Sequence, residues 1–316
     1  MNPPNLTPQQ RERILRAATS APSKHNTQPW WFRWDGDDLE VHADVARALP
    51  FGDPEMREVH IACGAAAFAA RLGYASLGTG TDVALLPDDA DPHLMVRLSV
   101  TDAVPDVRFE TLYWSLPSRR TTRAPFRGTP VPPQVVGELC EAAADEQAAL
   151  RLVASEAADY GQLLDLVREA ADLEVWQMSR RAVDAATPAT SAETPSAVPA
   201  EPGQTAAAAE RPPLIATLAT PTDTPRDWLV AGLALQRVLV TGVRYGATAS
   251  FTARPFVPAP PSVELPADGS DGGVVQVVLR CGVGRVLPAT PRRDLADVLT
   301  PSGSGAGPAG RCATSR

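Results

Sequence analysis

Hydrophobic positions near the start of the chain follow two periods, and each predicts an element. Ile14, Leu15 and Ala18 recur at helical spacing behind a start signal. In that signal Thr7 is the N-cap, Pro8 takes the first helical position and Gln10 completes a T-x-x-Q capping box. The helix is expected to end before Pro22, because the residue preceding a proline avoids the α region. Residues 20–29, SAPSKHNTQP, are loop-forming. Trp31 to Trp34 and Leu39 to Ala43 then read as a hairpin turning through Asp35, Gly36, Asp37 and Asp38. Ile61, Ala65, Phe68, Leu72 and Ala75 return to helical spacing and predict a helix from Arg57 to Ser76. Strands are expected at Thr81 to Leu86 and Leu94 to Val100, joined by the turn PDDADP, and at Val274 to Arg280. The most apolar helical stretch, Trp228 to Ser250, is interrupted by Arg237 and Arg244 and reads as a buried core helix.

Two stretches resemble one another across the chain. PQQRERILRAA from Pro8 matches PQVVGELCEAA from Pro133, and GAAAFAARLGYASLG from Gly64 matches GLALQRVLVTGVRYG from Gly232. Gly64 pairs with Gly232, Ala66 with Ala234 and Gly78 with Gly246. In each copy a strand follows the Ala-rich helix. Two matches in the same order favour an internal duplication over chance. Residues 183–213 are rich in Ala, Pro, Thr and Glu and hold no large apolar residue beyond valine, so a flexible insertion is expected there. The tail 301–316 reads as disordered for the same reason.

Composition narrows the function classes. With 316 residues, 44% of them hydrophobic, the chain can fill a sizeable core. A net charge of −8 disfavours nucleic acid as a general partner, although a local arginine cluster can still hold one small phosphate. Cys63, Cys140, Cys281 and Cys312 show no metal-like spacing and read as free thiols of a cytoplasmic protein. No metal site is expected. The N-terminus lacks the pattern of a signal peptide, and no window reaches the roughly 18 apolar residues of a membrane span.

Three polar clusters can carry chemistry. The first, Ala21-Pro22-Ser23-Lys24-His25-Asn26-Thr27-Gln28-Pro29-Trp30, offers short hydrogen-bonding side chains between stiffening prolines. Its amides supply both donors and acceptors, which suits a planar heteroaromatic ring. Chemistry alone leaves it as readily an ordinary polar loop closing the first helix. The second, Arg119-Arg120-Thr121-Thr122-Arg123, sets three guanidiniums beside two hydroxyls and can wrap a phosphate, or can pair as a solvated patch with the many carboxylates. The third, Thr290-Pro291-Arg292-Arg293, can add charge to the same phosphate or be a surface turn.

Taken together, AATSAPSKHNTQPWWF, RRTTRAPF, the GAA helix, DWLVAGLALQRVL and TPRRDL resemble the nitroreductase superfamily, in its Acg-type branch. The resemblance covers nearly the whole chain except the insertion and the tail. It implies an α+β fold in which two fused half-repeats mimic the usual homodimer: residues 1–115, then 116–300 with the insertion 183–213. It also implies FMN. Arg119, Arg120 and Arg123 would hold its phosphate with Arg292 or Arg293 assisting, Thr121 would help at the ribityl chain, and Ser23, Asn26 and Gln28 would face the isoalloxazine. His25 invites the role of proton donor, but nothing separates it from a surface histidine. Each half supplies one part of a site, so one FMN per chain is expected, in a monomer with an internal pseudo-dimer. The activity implied is NAD(P)H-dependent reduction of a small nitroaromatic or quinone-like acceptor, the chemistry residing on the flavin and not on a catalytic side chain. The alternative is a non-catalytic FMN storage or sequestration protein, with the segment at 183–213 as a candidate lid that its composition suits poorly.

Overall fold

The computed structural model describes residues 6–49, 53–122, 126, 130–153, 161, 214–253, 273–283 and 288–300. The insertion, the tail, Arg123 and Cys312 lie outside them, and so does the question of a lid.

The first half runs α1 (Pro8–Thr19), β1 (Trp30–Asp35), β2 (Asp38–Ala43), α2 (Arg57–Ala75), β3 (Gly80–Leu85), β4 (Leu94–Thr101) and α3 (Val107–Ser115). The second runs α4 (Pro133–Ala144), β5 (Ala149–Val153), β6 (Leu214–Thr220), α5 (Pro225–Val243), β7 (Ala247–Ala253), β8 (Val274–Val283) and a one-turn α6 (Leu295–Val298). The two antiparallel sheets have orders β1-β2-β4-β3 and β5-β6-β8-β7, the same order in each half. They share even an irregularity: the register slips between β2 and β4 at Val41/His42, and between β6 and β8 at Leu218/Ala219.

The repeat matches hold residue by residue. α1 and α4 start and end 125 positions apart, and α2 and α5 start and end 168 positions apart. Gly78 and Gly246 both take left-handed φ, +73° and +71°, where the chain turns from helix to strand. The apolar stretch expected to be helical to Ser250 is therefore helix only to Val243. Gly246 breaks it, and β7 begins at Ala247 to pair with β8. Apolar side chains serve a buried helix and a buried strand alike, so the pattern could not mark the change.

α2 and α5 cross at two glycines. A Cβ on Gly64 would lie 2.2 Å from the Leu229 carbonyl oxygen, and one on Gly232 would lie 2.1 Å from that of Ile61. The contacts are reciprocal, because Ile61 and Leu229 also stand 168 apart. Each crosses into the other half's core: Leu229 packs in the first cluster, with Trp30, Phe32 and Phe68, and Ile61 packs in the second, with Leu218, Val277 and Leu279. The capping box at Thr7 and Gln10 forms as expected, and Thr224 with Asp227 makes the matching one on α5. Near these helix N-termini Arg57 grips the Asp223 carboxylate of the other half through both guanidinium arms, Nη2–Oδ2 being 2.9 Å, and lies over the Trp228 ring.

Two connecting segments position the site. After α3 the chain makes a 3-10 turn at Leu116–Ser118 and then adds Thr121 as a parallel bridge to Ala249 on β7. After β8 it returns to the first half. There α6 packs on α1 and β1, Leu299 bridges Phe32, and the Thr300 N–H donates to the Phe32 carbonyl at 2.9 Å.

Candidate functional site

The segment after α1 is built against backbone preference. His25, Asn26 and Gln28 all have left-handed φ, between +48° and +56°, at a cost of order 1 kcal/mol each. Hydrogen bonds hold them there. The Ser23 hydroxyl accepts from the Gln28 N–H at 2.9 Å, and the Gln28 side-chain carbonyl accepts from the Arg293 N–H at 3.0 Å. The Asn26 amide donates to the Pro291 carbonyl at 3.0 Å and accepts from Arg292 at 3.1 Å. Lys24 pairs with Glu58 on α2. The first and third polar clusters, some 265 residues apart, are thus one hydrogen-bonded unit.

Arg292 lies across the C-terminal end of α1. Its Nε donates to the Thr19 carbonyl at 2.7 Å, and Nη2 donates to those of Ser20 and Ala21 at 3.1 and 3.3 Å. Arg293 turns the other way, toward the Asp44 carboxylate and the Asp297 carbonyl. The second cluster arrives beside them. Arg119, 5% exposed, donates from Nη2 to the same Ser20 carbonyl at 3.2 Å. Its Nε and Nη1 are buried with no hydrogen-bond partner among the described residues. Arg120 donates to the Arg119 carbonyl. Burial, then repulsion from Arg292 and Arg120, pushes the Arg119 guanidinium down to about 9, and burial with repulsion from Arg120 takes Arg292 to about 10. No carboxylate among the described residues pairs with either. Thr121 is half-buried in its bridge to Ala249, and next to it Thr122 is fully buried with an unpartnered hydroxyl.

The structure therefore brings Ser23, Asn26, Gln28, Arg119, Arg120, Arg292 and Arg293 into one neighbourhood, with Thr121 at its edge. Sequence reading missed Asp44, which anchors Arg293, and Thr122. The first carries no local signal; the second stood within the RRTTR cluster. A buried cationic group with unused donors and no counter-charge is suited to an oxyanion such as a phosphate. Cys63, Cys140 and Cys281 are free thiols, and burial first of all raises the pKa of each, which disfavours the reactive thiolate. Among the described residues no group of His, Cys, Asp and Glu could hold a metal, and no helix is long and apolar enough to cross a membrane.

No family model matches the chain. It is 31% identical over 312 residues to "Putative NAD(P)H nitroreductase Rv3131" of Mycobacterium tuberculosis (strain ATCC 25618 / H37Rv), covering 90% of each chain. A shorter match, 34% over 123 residues, relates 37% of this chain to 35% of "Putative NAD(P)H nitroreductase acg" of the same strain. A solved structure described as a "putative nitroreductase" from Anabaena variabilis shares the fold at a TM-score of 0.59. It is 10% identical, over 87% of this chain and 88% of that one.

Proposed function

The chain belongs to the nitroreductase superfamily, in its Acg-like branch, and from that premise we propose that it is an FMN-dependent oxidoreductase. It would take reducing equivalents from NAD(P)H and pass them to a small nitroaromatic or quinone-like acceptor. The observation that carries the reading is the junction of the three polar clusters around Arg119. Two of its buried donors have no acceptor among the described residues, and both neighbouring clusters close on it from opposite ends of the chain.

The residues fit a flavin phosphate. Arg119 would offer Nε and Nη1 to the phosphate, with Arg120 alongside, and Thr121, bridged to Ala249, and the buried Thr122 would add hydroxyls. Arg123 would complete the set. Arg292 supplies positive charge while holding Asn26, and Arg293 fixes Gln28. Ser23, Asn26 and Gln28 keep the loop in the shape that would flank the isoalloxazine. When bound, FMN would supply the redox chemistry, hydride transfer between NAD(P)H and the acceptor. The protein's part is to bind, orient and neutralise charge, which requires no catalytic triad or metal.

One site per chain follows from the duplication. The second half has no counterpart of the P-S-x-x-N loop, since only residues 145–148 join α4 to β5. The internal pair of halves takes the place of a dimer, so a monomer is expected. The test is anaerobic titration of the purified protein with NADPH and NADH while the visible flavin band is followed. A band near one FMN per chain that bleaches is the expected result. A band that only dithionite bleaches would replace this reading with flavin storage, and the absence of any bound or bindable FMN would overturn both.

A further inference from the structure

A cavity of about 260 Å³ opens where α3, α4 and the C-terminal half of α2 meet α5. By the repeat it lies at the counterpart of the flavin phosphate neighbourhood. The 125-position offset that maps α1 onto α4 maps Ser20 onto Asp145 and Ala21 onto Glu146. In the first half those positions present backbone carbonyls to Arg292 and Arg119. In the second they present carboxylates, and these also face arginines. Arg237 binds Glu146 at 2.7 Å, Asp145 closely and Asp106 at 3.3 Å. Arg71 reaches the other Glu146 oxygen at 2.8 Å, and Arg108 pairs with both Asp145 and Asp106.

Resting on the flavin reading above, we propose that this cavity is a latent oxyanion site: the counterpart of the flavin phosphate pocket, closed by the chain's own carboxylates standing in for the anion. Charge makes the contrast. Three guanidiniums converge in each place. Around Arg119 no described carboxylate answers Arg119 or Arg292, whereas around Arg237 three carboxylates answer three arginines. Arg237 is as buried as Arg119, 4% against 5% exposed, so each needs a partner anion equally. Only the source differs, an external phosphate in one and Asp106, Asp145 and Glu146 in the other. An outside phosphate is refused because every arginine facing the cavity is already paired.

Removing the internal anion should open the site. The test compares wild type with the isosteric Asp145→Asn/Glu146→Gln double variant, both saturated with FMN so that the first site is filled. The probe is inorganic phosphate, titrated against sodium chloride at matched ionic strength. The variant's Tm is expected to rise by about 4 °C or more when phosphate saturates the freed arginines, and wild type's by less than about 1 °C. Equal shifts in the two proteins, or no phosphate-specific shift in the variant, would overturn the proposal. If the double variant does not fold, the single Glu146→Gln, which removes the carboxylate that pairs with Arg71 while Asp145 and Asp106 still hold Arg237 and Arg108, carries the same comparison with a smaller expected shift. If wild type binds no FMN, the flavin reading has failed by itself; the phosphate contrast is then read in an Arg119→Met background, where the first pocket lacks its central cation.

Discussion

Replacing Arg119 with methionine should make the flavin-free protein more stable and nearly abolish flavin binding. The side chain is 5% exposed, donates to the Ser20 carbonyl, and keeps Nε and Nη1 buried without a partner among the described residues. Its depression from 12.5 to about 9 corresponds to about 5 kcal/mol of cost to the charged form, an upper bound because water and relaxation soften it. Losing the bond to Ser20 returns about 2 kcal/mol. Methionine fills most of the volume without charge, so a net gain of about 2 kcal/mol is expected, a rise of about 4 °C in the Tm of the apoprotein. The flavin would lose its best-buried partner, and breaking such a pair costs about 3–5 kcal/mol, so Kd for FMN should weaken by about 10²- to 10⁴-fold. The assay pairs thermal melts of apoprotein in low-salt buffer free of phosphate and sulfate with fluorescence titration by FMN. An apoprotein that melts lower than wild type while binding FMN within threefold would refute the reasoning, since it would make Arg119 a structural residue.

Gly232→Ala should destabilise by about 3 kcal/mol or more, read from the urea midpoint, because its Cβ would stand 2.1 Å from the Ile61 carbonyl oxygen; an unchanged midpoint would mean that the helices cross elsewhere. The Glu40 carboxylate, 1% exposed, is raised by burial but lowered more by hydrogen bonds from Arg33, Arg97 and His42, and comes to about 2. Its folded value lies below its unfolded one. Its contribution of about 3 kcal/mol is therefore present above pH 4.5 and lost as the pH falls toward 2, and Glu40→Gln should flatten that part of the stability profile. Arg293→Ala removes the guanidinium contacts to Asp44, Asp297 and the Gln28 carbonyl but keeps the backbone bond to Gln28. Faster amide exchange across residues 23–28 and about tenfold weaker FMN binding are expected, and unchanged exchange would count against the clamp.

Local rules carried far in this chain. The T-x-x-Q box, the Ala-rich α2 and the glycines that end both long helices are short-range signals, and their physics is complete within a few residues. The duplication was readable for a related reason. Two helices that cross at Gly64 and Gly232 leave no room for a Cβ, so the same small residues recur in both copies. Elements of mixed burial were harder. α3 carries Val107 and Trp114 on its solvent side, and β5 alternates only weakly, so neither stood out as a pattern.

By itself, the sequence determined the element order of the first half as far as β4, the existence of the repeat and three polar clusters suited to a phosphate and a ring. What only the tertiary structure decided is which of their groups remain available. Asn26, Gln28, Arg292 and Arg293 are largely committed to one another, whereas Arg119 keeps buried cationic donors without a partner among the described residues. It also decided that the second copy answers its arginines with Asp106, Asp145 and Glu146. The reason is range: caps and turns are settled by neighbours in sequence, whereas the charge balance of a buried guanidinium depends on carbonyls and carboxylates that folding brings from as many as 273 positions away.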